Sequence, residues 1–420
     1  MADPPGDAEV RAQYEAYPYP ARDPADEAKR LITGSPSHLD EINHYVFAGR
    51  LDTRRPFRAL IAGGGTGDAT IMLAQQLADR GCPAEVVYLD ISAASLAIAQ
   101  ARAEARGLAN LRFVRGSLDD IGSLAAGPYD YIDCCGVLHH LAEPAAGLAA
   151  LAGQLGEGGG MGLMLYGALG RTGVYHAQEV LKLIAADEDD ATRLDVARRL
   201  IGGLPETNWL ARNPYVRDHL DGGDAGLYDL LLHSRDRAYT VPEIGAMVGE
   251  AGLAITGFIE PALYDPANFL TDSVLTPRIA ALPWLERCAV AELLGGTLKR
   301  HVFYVVAKAR GTQAVARPDD RRAVPVLRDA DGAAMAAPLR AGGRIKAELD
   351  GVALSYPVPP LAAAILAAID GKRDLGEIQR RAGRAEGRSL NRDEFRTAFD
   401  TLYAALGALN VMLIARPPKR

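Results

Sequence analysis

The stretch Ala59-Leu60-Ile61-Ala62-Gly63-Gly64-Gly65-Thr66-Gly67-Asp68 joins a short apolar run to a glycine-dense turn, and an amphipathic segment, Asp68 to Arg80, follows at once. The pattern predicts a buried parallel strand, a tight turn and a helix whose first turn faces that turn. Glycine at 63, 65 and 67 permits positive φ and lets a ligand lie directly on main-chain atoms. The helix start adds unpaired N–H groups and partial positive charge. A nucleotide-like ligand fits such a loop.

The next apolar run, Glu85-Val86-Val87-Tyr88-Leu89-Asp90, ends in a carboxylate. It lies about 20 residues after the loop, where α/β nucleotide folds place a ribose-binding acid. Ser92 is positioned to cap a helix that runs through Ala103 and stops near Gly107. A third strand, Leu111 to Arg115, leads to Gly116-Ser117-Leu118-Asp119, and a fourth, Tyr131 to Cys135, leads to Gly136-Val137-Leu138-His139-His140-Leu141. A dinucleotide fingerprint would need glycine where Asp68 stands, and it predicts no Leu-His-His turn.

Over roughly residues 56 to 166, this register resembles the class I S-adenosylmethionine-dependent methyltransferases. Tyr14-Glu15-Ala16-Tyr17-Pro18-Tyr19-Pro20 and the Ile-Ala-Gly-x-Gly-Thr-Gly loop are similar to a bacterial branch of that family. The resemblance implies an α/β fold with a seven-stranded, mostly parallel sheet and S-adenosyl-L-methionine as cofactor. It implies that Gly63, Gly64, Gly65 and Gly67 lie against the methionine and sugar portion, and that Asp90, with Ile91 beside it, takes the ribose hydroxyls. Ser117 and Leu118 stand where the family reads adenine, Ser117 replacing a more usual Asp, and Gly136 completes the expected cofactor set. Most members carry an acid in the first strand, two residues before the first loop glycine; here that position is Ile61. Asp68 and Asp133 are the nearest substitutes by sequence.

His139 and His140 follow the fourth strand at the edge where the methyl group must lie. One of them is a candidate base, since imidazole titrates near neutrality, or both shape the turn. Tyr166 and His233 are further catalytic candidates. Tyr17 and Tyr19 read either as a lid over cofactor or acceptor or as an arm that simply packs on the domain. Arg171 and Tyr228 are candidate acceptor contacts; Tyr228 opens a mixed acid, base and imidazole run that extends to Arg237. His38, Asp40, Glu41, Asn43 and His44 precede the first strand, and histidines in such a segment read as surface or capping residues.

The chain of 420 residues exceeds a typical single core. Residues 1–50 read as an arm or lid and 51–310 as the methyltransferase domain. Within it, 167–239 is a helical cap inserted between the fifth strand and a helix that opens at the Thr240-Val241-Pro242-Glu243 capping box. Residues 311–340 read as a linker, and 341–420 as a small α+β, winged-helix-like domain. The net charge of −7 argues against a nucleic-acid partner. Four cysteines lack metal-type spacing, so no metal is expected and a reducing cytoplasm is the natural compartment. There is no apolar run of membrane-spanning length. The expected partner is a small-molecule, peptide or protein acceptor methylated on oxygen or nitrogen. Two other readings stand beside it: a protein (lysine) methyltransferase whose C-terminal domain holds the target, and a non-catalytic cofactor-binding scaffold.

Overall fold

In the computed structural model, which describes residues 7–339 and 342–417, the apolar runs become strands because both sheet faces are covered. They are β1 (Phe57–Ala62), β2 (Ala84–Asp90), β3 (Leu111–Arg115), β4 (Tyr129–Cys135), β5 (Leu155–Tyr166), β6 (Leu253–Phe258) and β7 (Arg300–Ala307). The seven form one mostly parallel sheet in the order β3-β2-β1-β4-β5-β7-β6. The order reverses between β1 and β4, which opens a ligand crevice at their carboxyl ends. In register, Ile61 lies beside Tyr88 on one side and Asp133 on the other. The strand β5 runs through a glycine-rich stretch, with Leu155 in register with Tyr129, Gly160 with Tyr131 and Gly162 with Asp133.

The helix signals act as expected. Ser92 accepts the Ser95 N–H at the start of helix Ala93–Arg106, and Gly107 ends it in the left-handed region. Thr240 and Glu243 form a reciprocal capping box at the start of helix Val241–Glu250. Between β5 and that helix lie four helices, Val174–Ala185, Asp190–Gly203, Asp218–Asp221 and Gly223–Leu231. Val174, Leu181, Leu194, Leu227 and Leu231 share a core of their own there.

Two compact units divide the chain: Met1–His38, Thr53–Leu253 and Gly296–Phe303 in one, and Leu39–Asp52, Ala254–Gly295 and Tyr304–Arg420 in the other. In the second unit, residues 311–340 differ from the expected linker. Strand β8 (Val324–Leu327) pairs antiparallel with β11 (Met412–Ala415), and a helix spans Gly332–Leu339. Ala323 and Ala336 enter a core with Ile365, Phe399 and Leu402. Alanine-rich sequence carries little apolar periodicity, yet small side chains let a helix pack closely. The hairpin of β9 (Arg344–Leu349) and β10 (Val352–Pro357) and helices Ala362–Ala368, Leu375–Ala385 and Arg392–Ala408 complete this unit's C-terminal part.

The polar segment before β1 is buried rather than surface. Glu41, 0% exposed, accepts from Tyr304 and Asn410 at 2.8 Å each and pairs with Arg328. His44 Nδ1 accepts the Ile414 N–H at 2.9 Å, and burial pushes its pKa down to about 4. Complete pairing explains how such groups tolerate burial. Among the described residues no helix is long and apolar enough to cross a membrane.

Candidate active site

The glycine loop is shaped by its neighbours. A Cβ at Gly64 would stand 2.2 Å from the buried Tyr88 ring, whose hydroxyl donates to the Gly65 carbonyl at 2.8 Å. Gly67, at φ 102°, starts helix Asp68–Asp79 and directs its free N–H groups toward the loop. Asp90 accepts from the Gly65 N–H and the Ser92 N–H, both at 2.8 Å, so the ribose-type acid also fixes the loop. Burial holds its carboxyl above the ordinary range. Bare backbone, a helix start and an acid at the end of β2 fit the adenosine and methionine portions of S-adenosylmethionine. Ile91 offers its carbonyl to Arg115, Ser117 caps its own turn through the Asp119 N–H, Leu118 is buried, and the Gly136 N–H donates to Met164.

The first-strand acid is absent, and the two sequence candidates differ in what they touch. Asp68 is taken by two guanidinium groups, Arg22 at 2.6 Å and Arg102 at 2.7 Å, which hold its carboxyl below the usual range against the effect of burial. Asp133 accepts the Ser37 hydroxyl at 2.7 Å, and burial pushes its pKa up to about 7.

The N-terminal arm lies directly on this loop. Thr66 Oγ1 donates to the Pro20 carbonyl at 2.7 Å, and Arg22 holds Asp68. Glu15 accepts the Ala93 and Ala94 N–H groups at 2.7 and 2.8 Å, placing an anion on the start of a helix. Tyr19 is half-buried, with its carbonyl over Gly65.

Beyond β4 and β5 a buried polar cluster forms. His140 Nδ1 donates to the Arg235 carbonyl at 2.8 Å, leaving Nε2 as an acceptor. His233 Nδ1 accepts the Arg235 N–H at 3.0 Å, so its proton sits on Nε2, 3.3 Å from the Tyr14 oxygen. Tyr14 donates to Asp229 at 3.1 Å, and Tyr166 donates to the other oxygen of Asp229 at 3.2 Å. The two imidazoles stack at 3.9 Å. His139 stacks on Tyr166 at 3.9 Å, and neither of its ring nitrogens has a partner among the described residues. Arg171 lies 3.7 Å over the Tyr166 ring and pairs with Asp236 at 2.9 Å.

Burial pushes the His140 pKa down to about 4 and those of His139 and His233 well below the ordinary value, so all three are neutral. The same burial raises Asp229 to about 6. Ligand-type atoms of His140, Asp229 and His233 lie within 4.8 Å of one another. His233 and Asp229 are joined through the Tyr14 hydroxyl, while His140 stacks on His233 and bonds the Arg235 carbonyl.

His139, His140, Tyr166 and His233 thus gather in one place. Tyr17 and Tyr228 stack on each other at 4.9 Å, but Tyr228 belongs to the core of the helical insertion, its hydroxyl between Asp190 and Arg193. The helix turns Tyr228 into that core while Asp229, the next residue, faces the cluster. Tyr14 and Asp229 are site members that motif reading passed over. Tyr14 opens the Tyr-Pro arm and Asp229 lies in the mixed polar run after Tyr228, and nothing local says that they meet 215 positions apart.

A family model described as a methyltransferase domain matches residues 60–161. Fold, loop and site together define an S-adenosylmethionine-dependent methyltransferase of the class I type, with S-adenosylmethionine as cofactor. The chain belongs to the same family as an uncharacterized protein of Synechococcus sp., 32% identical over 306 residues and 70% of each chain. The ubiquinone biosynthesis O-methyltransferase of Acinetobacter baylyi is 28% identical over 153 residues, 36% of this chain and 60% of that protein's length. The structure of PKMT2 from Rickettsia typhi is similar in fold, with a TM-score of 0.65 at 14% identity, over 92% of this chain and 77% of that one. Its complex with AdoHcy gives 0.59 at 13% identity, over 90% and 75%.

Proposed function

We propose that the protein methylates an oxygen or nitrogen atom of a small-molecule or peptide acceptor, with His139 taking the acceptor's proton. The cofactor supplies an electrophilic methyl group, so the protein's task is to orient the acceptor, exclude water and receive a proton. The carrying observation is His139: 1% exposed, neutral, stacked on Tyr166, with neither ring nitrogen partnered among the described residues. A buried imidazole without a partner is costly unless a ligand completes it. The likeness of residues 60–161 to a methyltransferase domain supports this reading, as does the match to an O-methyltransferase of ubiquinone biosynthesis.

The test is transfer from methyl-labelled S-adenosylmethionine to components of a cell extract. His139→Asn should slow transfer about 100-fold or more while leaving S-adenosylhomocysteine affinity within about twofold. Undiminished transfer by the variant would refute the base role. A protein acceptor, held by the C-terminal part of the chain, is the second reading. The size of the labelled product separates the two.

A further inference from the structure

We propose that Asp133 on β4 replaces the missing first-strand acid and binds the α-ammonium group of the cofactor's methionine portion. The proposal rests on the cofactor assignment above and concerns how this chain compensates for Ile61. Ile61 is buried and apolar where the family carries an acid, so that position offers nothing to a cation. Asp133 is its direct register partner on the adjacent parallel strand. Register partners project to the same sheet face at the same level, about one strand spacing apart. The carboxylate is therefore displaced sideways by one strand without leaving the row at the crevice.

The other acids near the loop are already committed. Asp68 is neutralised by Arg22 and Arg102, and Asp90 accepts the Gly65 and Ser92 N–H groups. Asp133 is different. It is 1% exposed, accepts the Ser37 hydroxyl and the Cys135 N–H, and, unlike Asp68, has no cation paired with it among the described residues. A buried carboxylate is unfavourable as an anion until a positive group joins it. A ligand ammonium between strand ends supplies that charge and makes a charge-assisted hydrogen bond. Ser37 then orients the carboxylate and leaves acceptor capacity for the ammonium, since an ionised carboxylate accepts several hydrogen bonds.

Two ligands isolate this contact in calorimetric titration of the full chain. S-Adenosylhomocysteine carries the amino-acid tail, whereas 5′-methylthioadenosine retains the adenosine and sulfur without it. Asp133→Asn should weaken S-adenosylhomocysteine about tenfold or more and change 5′-methylthioadenosine by less than about twofold. Ile61→Asp combined with Asp133→Asn returns one carboxylate to the row and should recover most of the lost affinity. An Asp133→Asn protein that binds S-adenosylhomocysteine normally, or loses both ligands equally, would overturn the proposal. So would a folded double variant with no recovery. Should Asp133→Asn not fold, Asp133→Ser serves in the same comparison. Wild-type protein that binds neither ligand would instead overturn the cofactor assignment and this proposal with it, an outcome visible before any variant is made.

Discussion

At Gly64 a single hydrogen in place of a methyl decides whether the loop closes. The Tyr88 ring lies 2.2 Å from the position of a Cβ, and its hydroxyl is tied to Gly65. A buried, hydrogen-bonded ring has little room to yield, so Gly64→Ala should destabilise the protein by about 1–3 kcal/mol, the usual range for overpacking. Urea denaturation measures this; an unchanged midpoint would show that the loop relaxes freely. Tyr228 is the opposite case, a conspicuous tyrosine whose hydroxyl serves packing. Tyr228→Phe removes its bonds to Asp190 and Arg193, which should cost about 1 kcal/mol of stability and leave methyl transfer nearly intact. A large loss of transfer without loss of stability would return Tyr228 to the acceptor site.

Among the elements, the C-terminal boundary is the sharpest test. A cut near residue 335 passes through helix Gly332–Leu339 and removes β11, the pairing partner of β8. It also strips Phe399 and Leu402 from the core that holds Ala323. Exposure of that apolar surface should make the truncated protein insoluble or unfolded by circular dichroism, not a clean single domain. Recovery of a soluble, cooperatively unfolding fragment ending near 335 would contradict the packing described. The arm is an element of another kind. It is held at Glu15, Pro20 and Arg22 by bonds to the loop and helix start, so its tyrosines are placed by main-chain geometry.

Over the whole molecule, buried titratable groups set the response to acid. His44 and His140 titrate at about 4, and His139 and His233 are depressed as well, so all four are neutral when folded. Unfolded, they gain protons below about pH 6.5. Their contribution is therefore lost as pH falls from about 6.5 toward 4. Asp133 at about 7 and Asp229 at about 6 act in the other direction: raised above their unfolded value, they contribute below it and lose that contribution as pH rises through 6 to 7. Four imidazoles against three raised carboxyls, Asp133, Asp229 and Asp90, leave the unfolded chain with more bound protons at pH 5. Thermal melts should therefore show a lower Tm at pH 5 than at pH 7, and a flat or rising Tm on acidification would refute the balance.

The sheet, the glycine loop and the caps at Ser92 and Thr240 were legible from residue order, because each depends on contacts within a few positions or on a strand's own alternation. The same holds for the cofactor, whose acid and loop follow one another along the chain. Chain order alone did not reveal that residues 323–339 join a core with residues 365–402, since alanine-rich segments carry weak periodicity. It also could not show that Tyr14 meets Asp229, or that Asp133 stands beside Ile61. Those pairings depend on sheet order and on the docking of an arm. Long-range packing sets both, and only the folded chain brings such distant residues within hydrogen-bond reach.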